Sequence, residues 1–257
     1  MTPVALTVAG SDSGGGAGVQ ADLKTFAALG VYGTCAITAV TAQNTQGVHA
    51  VHALPADVVA AQIVAVREDF DVAAVKIGML ASVEIAEAVF AALAGARVVF
   101  DPVMVASSGD ALAGAGFVAA VRRRFGGVDL LTPNLAEAAR LLDAPEARSE
   151  AEMVEQGRAL LALGPRAVLM KGGHLKGMAV DLLVSAQNVR RFAGPRIDSL
   201  NLHGTGCVLS SAIVAHLALG RDLVEAVDRA KSFTRAAIEN GRGLALGKGP
   251  GPLMPGR

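Results

Sequence analysis

Short β-branched runs alternate with amphipathic stretches along most of this chain, and that alternation leaves few folds open. An apolar run of strand length at residues 4–8 precedes a glycine-rich turn and a helix over 19–29 that stops at Gly30. Strands are predicted at 34–42 and 48–54, and a helix opened by Pro55 and Asp57 runs to about residue 69. The pattern repeats as strand 73–77, helix 83–93 and strand 97–101, the last ending on an acid. A polar, glycine-dotted loop at 102–116 follows, then helix 117–125, strand 129–131, a helix to residue 142, helix 151–163 and strand 166–170. Repeated βα units imply a mainly parallel sheet with helices on both faces, an α/β three-layer sandwich. The remainder reads as a hairpin (180–185 and 188–192), a strand at 197–202 and two helices, 204–219 and 222–239. No linker, internal repeat or low-complexity block interrupts the pattern, so one domain over 1–257 is expected.

Half of the 257 residues are apolar, enough for a core without disulfides or structural metal. Lys plus Arg and Asp plus Glu both number 23, so net charge points to neither nucleic acid nor an acidic membrane as partner. The absence of Trp and the single Tyr argue against stacking platforms for single-stranded nucleic acid. Cys35 and Cys207 are far apart and lack CxxC spacing, which excludes a zinc or disulfide framework. The first residues carry no basic n-region, and no apolar run of about twenty residues occurs, so the expected address is cytoplasmic.

In parallel sheets, ligands sit at the carboxyl ends of the strands. Polar or glycine-rich signals fall at such ends here, at 10–18, 43–47, 101–110, 132–137, 171–174 and 203–207, and their convergence points to an enzyme. Gly204, Thr205 and Gly206 open a helix where about three unpaired N–H groups and the helix dipole favour an anion. Cys207, in the first turn, is expected to feel the same field and to gain thiolate character. Gly16-Ala-Gly18-Val-Gln-Ala21 matches the dinucleotide fingerprint formally, but the next strand ends without the acid that would hold a ribose. No Walker A sequence occurs, which excludes a P-loop kinase. Lys171 before two glycines suits a triphosphate or is a solvated turn lysine. Asn134 and Glu137, one helical turn apart, suit the water shell of Mg²⁺, or Asn134 is only an N-cap. Asp101 before Pro102 is a site acid or a turn residue, Gln43 a ring-reading amide or loop filler, and His174 and His203 line a site or serve structure. His49 and His52 point to opposite faces of a strand and show no metal spacing.

Taken in order, Ala9-Gly-Ser-Asp12, Gly14-Gly-Gly-Ala-Gly18, Gln20-Ala-Asp-Leu-Lys-Thr25, Thr41-Ala-Gln-Asn-Thr45, Lys76-Ile-Gly-Met-Leu80, Asp101-Pro-Val-Met104, Thr132-Pro-Asn134 with Glu137, Met170-Lys-Gly-Gly-His174 and His203-Gly-Thr-Gly-Cys207 resemble the hydroxymethylpyrimidine/phosphomethylpyrimidine kinases of thiamine biosynthesis. The likeness spans residues 4–251. It implies the ribokinase-like fold, a homodimer, ATP with Mg²⁺, and two successive phosphorylations, first to the pyrimidine monophosphate and then to the diphosphate. It also implies that Gly204, Thr205, Gly206 and Cys207 form the anion hole, with Cys207 where most ribokinase-like enzymes carry an aspartate base. Lys171 would bind ATP phosphates, with Thr205 beside them. Asn134 and Glu137 resemble the Asn-x-x-Glu magnesium motif, and Asp101 would lie near metal and phosphates. Gln43, Met79, Val103, Asp12 and the backbone at Ala17 would surround the pyrimidine. Some members carry glutamate in place of Gln43, which bears on substrate choice. Others carry lysine in place of Ser107, which leaves the phosphate-covering loop here with one charge less. Pyridoxal kinase of the same subfamily is the alternative activity. A non-catalytic nucleotide-binding regulator is the alternative of a different class.

Overall fold

The structure is a computed structural model that describes residues 2–104, 116–173 and 177–256. The expected loop at 102–116, with Ser107 and Asp110, lies largely outside those residues, and so does His174. The N-terminal half runs β1 (Val4–Asp12), α1 (Gly18–Ala28), β2 (Tyr32–Asn44), β3 (Gly47–Ala53), α2 (Ala56–Asp69), β4 (Val72–Ile77), α3 (Val83–Ala92) and β5 (Val98–Phe100). It continues with α4 (Phe117–Arg122), a 3₁₀ turn (Phe125–Gly127), β6 (Leu130–Leu131), α5 (Leu135–Leu142), α6 (Glu150–Leu161) and β7 (Ala167–Lys171). The hairpin β8 (Ala179–Ser185) and β9 (Val189–Gly194) precedes α7 (Thr205–Ala218) and α8 (Leu223–Gly241).

These strands form one sheet in the order β3-β2-β1-β4-β5-β6-β7-β8-β9. Pairing is parallel from β2 through β7 and antiparallel where β3, β8 and β9 join the edges. Side chains alternate faces along each strand. In β5, Val98 and Phe100 point into one apolar layer while Val99 points into the other. The first layer packs the sheet against α2 to α6, through residues such as Ile63, Val89, Val121, Leu141 and Leu160. The second packs it against α1, α7 and α8, through Phe26, Ile213 and Val227. The fully buried Phe100 meets Phe90 edge-on at 5.6 Å and Phe125 at 6.4 Å, the geometry aromatic quadrupoles favour.

Two expectations need correction. The helix at 117–125 ends at Arg122 and gives way to the 3₁₀ turn, because Gly126 and Gly127 cannot sustain it. No strand forms at 197–202. Leu200 is 84% exposed there, and the buried Asn201 tethers the segment instead, donating to the carbonyls of Gly241 and Leu244 and accepting from Gly251 N–H. Side-chain hydrogen bonds to the backbone thus replace a ladder.

Phe100→Ala should cost about 3–5 kcal/mol of stability, because its ring partners on α3 and the 3₁₀ turn cannot close the gap. Chemical denaturation should show a lower midpoint with an unchanged slope. A loss within about 0.5 kcal/mol, the scale of surface changes, would show that the two partner rings collapse into the space.

Candidate active site

The chain leaves β1 for β2 on one side and later supplies β4 on the other. The carboxyl end of β1 therefore lies at a reversal of strand order, where open sheets leave a crevice. A cleft of about 1510 Å³ opens there. It is lined by every residue selected from the sequence: Asp12, Ala17, Gln43, Met79, Asp101, Val103, Asn134, Glu137, Lys171, Gly204, Thr205, Gly206 and Cys207.

Asp12 ends β1 and organises the turn into α1. Its Oδ1 accepts from Gly14 N–H (2.8 Å), and Oδ2 accepts from Gly16 N–H (3.1 Å) and Ala17 N–H (2.9 Å). The fingerprint-like glycine loop thus holds an internal carboxylate on the N–H groups that a pyrophosphate would need. Asp12 was expected among the substrate contacts, but its oxygens already have these partners. Burial raises its pKa, but the hydrogen bonds from His203, Ala17 and Gly14 outweigh that and hold the carboxyl below its usual range. His203 Nε2 lies 3.0 Å from Oδ2 and 3.4 Å from the Gln43 amide. An ionised carboxylate has no proton to give, so Nε2 carries one, and the Gln43 amide meets it best through its oxygen. Thr41 Oγ1 holds the other arm of that amide at 3.1 Å. Met79 and Val103 complete this end of the cleft as apolar wall, with the Met79 carbonyl fixed by Thr38 Oγ1 at 2.7 Å.

Two glycines let the N-terminal loop and α7 interlock. Gly18 has φ +57°, and a β-carbon there would collide with the Gly10 carbonyl. Gly204 has φ +88°, and a β-carbon there would collide with the carbonyl of Gly16. Thr205 N–H bonds back to Leu202 O at 3.2 Å, so it is not available to an anion. Among the described residues, the N–H groups of Gly204, Gly206 and Cys207 have no acceptor, so three donors are open, with Cys207 in the place expected of Thr205.

Those donors face a charged cluster. Lys171 Nζ, at the end of β7, is 2.7 Å from Asp101 Oδ1 and 3.8 Å from Glu137 Oε2. A β-carbon on Gly206 would lie 3.4 Å from both Asp101 Oδ2 and Lys171 Nζ, so the first turn of α7 abuts this pair. Burial alone would lower the Lys171 pKa, but Asp101 and Glu137 outweigh it and keep the ammonium charged. Asn134 and Glu137 form a capping box: Asn134 Oδ1 accepts from Glu137 N–H (2.8 Å) and Glu137 Oε2 accepts from Asn134 N–H (2.7 Å). The N-cap reading therefore holds, and both residues also line the cleft. Burial pushes the Glu137 carboxyl up to about 7, with Lys171 opposing and Asp101 reinforcing the shift.

The expected thiolate at Cys207 is not what the surroundings favour. Burial pushes this thiol up to about 11; Lys76 pulls it down, Asp22 and Asp101 push it further up, and the Gly18 N–H pulls it down. A helix start is a local signal, whereas burial is set by the whole fold, and here burial is the larger influence. Sequence reasoning also passed over the buried pair Lys76 and Asp22 and gave His203 no definite role. The available signal was the lysine inside the otherwise apolar β4; Asp22 shares α1 with Gln20 and Lys24 and does not stand out.

A family described as phosphomethylpyrimidine kinase matches residues 12–254. A hydroxymethylpyrimidine/phosphomethylpyrimidine kinase from Rhizobium meliloti (strain 1021) is 52% identical over 257 residues, covering 98% of this chain and 97% of its own. The crystal structure of phosphomethylpyrimidine kinase from Clostridium difficile 630 superposes with a TM-score of 0.82 at 42% identity, over 92% of this chain and 100% of that one. The pyridoxal kinase from Staphylococcus aureus in complex with AMP-PCP and pyridoxal superposes with a TM-score of 0.90 at 32% identity, over 100% and 94%.

Asp12→Asn should destabilise the protein by about 1–3 kcal/mol at pH 7, since one amide arm turns a donor toward N–H groups that need an acceptor. Because the folded carboxyl titrates below its unfolded value, its contribution is fully present above the unfolded value of about 3.9 and is lost as pH falls through the folded one. Melting curves of wild type and variant should therefore converge at low pH. A gap of equal size at pH 7 and pH 3 would show that the loss is steric and not carried by the charge.

Proposed function

The chain belongs to the phosphomethylpyrimidine kinase family and is a kinase of the ribokinase-like fold, and from that premise we propose that it phosphorylates 4-amino-5-hydroxymethyl-2-methylpyrimidine and then the resulting monophosphate, supplying thiamine biosynthesis. One observation carries this reading. The open N–H groups of α7 abut the Lys171–Asp101 pair in the same cleft that holds a thiol, Cys207, and a ring-reading amide, Gln43. Phosphoryl transfer requires alignment and charge stabilisation more than covalent work, and this cleft offers both.

In this reading, Gly206 and Cys207 N–H groups hold the oxygens of the transferring phosphoryl group, and Lys171 balances the ATP phosphates. Gln43, set by Thr41 and His203, pairs with the ring nitrogen and the amino group of the pyrimidine, while Met79 and Val103 flank the ring and the Ala17 backbone borders it. Asp12 serves by shaping the loop. The small thiolate fraction of Cys207 takes the hydroxymethyl proton as the new O–P bond forms and ADP leaves, and the thiol then returns that proton to water. Asp101 and Glu137 share one ammonium, a surplus of negative charge that fits Mg²⁺ keeping most of its waters. Asn134, Glu137 and Asp101 would order that water shell; no tighter cage of His, Cys, Asp or Glu exists among the described residues. When bound, the ion neutralises charge on the phosphates. A homodimer and a cytoplasmic address belong to the same proposal. Among the described residues no helix is long and apolar enough to cross a membrane.

An ATP-consumption assay across hydroxymethylpyrimidine, its monophosphate and pyridoxal tests the proposal. Turnover of the first two is expected, and pyridoxal as the sole acceptor would overturn it. Cys207→Ala should lower kcat for hydroxymethylpyrimidine by about 10²–10⁴-fold, the usual worth of a general base. It should slow the second transfer far less, because a phosphate acceptor is already ionised. Equal losses on both substrates would mean that Cys207 acts in packing. Lys171→Ala and Glu137→Ala should raise the KM for ATP while calorimetry finds pyrimidine binding in the absence of nucleotide nearly unchanged. Loss of that binding in either variant would place these residues on the pyrimidine instead.

A further inference from the structure

The cleft contains a charged pair to which the transfer chemistry assigns no part. Lys76 of β4 and Asp22 of α1 both have side chains 0% exposed, and Lys76 Nζ lies 3.0 and 2.8 Å from the two carboxylate oxygens. Asp22 also accepts from Thr7 Oγ1 and Ser211 Oγ, each at 2.6 Å. Stability is a weak reason to keep such a pair, because well-packed apolar side chains of similar volume do as well or better. An ammonium has three N–H groups. Two face Asp22, and among the described residues the third has no hydrogen-bond acceptor.

Lys76 lines the cleft together with Cys207. Gly78 leaves the space above the ammonium clear, since a β-carbon there would sit 2.6 Å from Nζ. Ser211, which holds Asp22, is one helical turn from Cys207 on the same face of α7. The pair is therefore anchored one turn along α7 from the thiol.

We propose that Lys76 is a positioning residue whose ammonium, fixed by Asp22, is the counter-charge against which Cys207 releases its proton. Its catalytic meaning rests on the kinase reading above; the charge relation itself needs no substrate. Other groups face the same sulfur. Asp22 from α1 and Asp101 after β5 oppose the thiolate, Lys171 from β7 attracts it, and the Gly18 N–H at the start of α1 donates to it. Of the two lysines, Lys76 exerts the dominant pull on the thiol. Without it, burial and two carboxylates act on the sulfur nearly unopposed. The proton balance is simple: the S–H proton leaves to water, and the thiolate left behind is ready for the hydroxymethyl proton.

Alkylation of Cys207 by iodoacetamide measures thiolate directly and requires no activity. In a Cys35→Ser background, with intact protein free of nucleotide, the rate is followed from pH 7 to 10 and the site located by mass spectrometry. Lys76→Met should slow alkylation at pH 8 by about tenfold or more, the effect of one pKa unit. Asp22→Asn removes an opposing charge but keeps Lys76, and should speed it several-fold. A merely structural role would loosen the cleft and speed both variants alike, and that result overturns the proposal. So does an unchanged rate in either one. Should Lys76→Met fail to fold, Lys76→Gln takes its place: slowing supports the proposal, and no change or acceleration refutes it. A wild-type chain that leaves hydroxymethylpyrimidine untouched would overturn the kinase reading while these alkylation rates still stand.

Discussion

The carboxylate of Asp12 is the constraint around which the rest of the cleft is arranged. It draws in three backbone N–H groups from its own loop and the imidazole of His203 from the far end of the chain. The polar groups of a tight glycine turn are thereby satisfied without water or ligand. Because that cage fixes the turn, Gly16 can present its carbonyl to Gly204, and the start of α7 can settle against β1. The start of α7, with its open N–H groups, takes its position from that contact.

Charges are distributed through the site with a consistent logic. Each buried lysine sits against a carboxylate, Lys76 against Asp22 and Lys171 against Asp101, and hydroxyls satisfy the remaining oxygens: Thr7 and Ser211 on Asp22, Thr132 and Ser210 on Asp101. The low polarity of the surroundings makes those interactions strong and an unpaired member costly. Groups that bear on transfer are therefore held rigid before any ligand arrives. Preorganisation of this kind spares the reaction the reordering of dipoles.

The layered sheet was legible because strand and helix periods differ and the central strands bury both faces. Val98, Val99 and Phe100 announce that in three letters. Every selected site residue reached the cleft because parallel sheets gather strand ends on one side. What failed were inferences from one stretch of chain about quantities set by another. Cys207 at a helix start looked like a thiolate, yet its acidity depends on burial and on residues from α1, β4 and β5. The glycine loop matched the dinucleotide fingerprint only formally, and the group that fills it is its own Asp12. Residues 197–202 have strand-like composition, and only the partners of Asn201, some forty to fifty residues downstream, show why no ladder forms. Asn134 and Glu137 form a capping box while lining the cleft, so a helix start and a site position need not be alternatives.

The interlock between the first loop and α7 joins positions 16 and 204, so it can close only after α7 has been made. A ribosome releases the N-terminal half of the sheet well before the segment that completes the cleft, and contacts of such sequence separation form slowly. Until α7 docks, the chain has no helix start at which to hold a phosphoryl group and no imidazole on Asp12. The cleft is therefore completed in one step, when α7 docks.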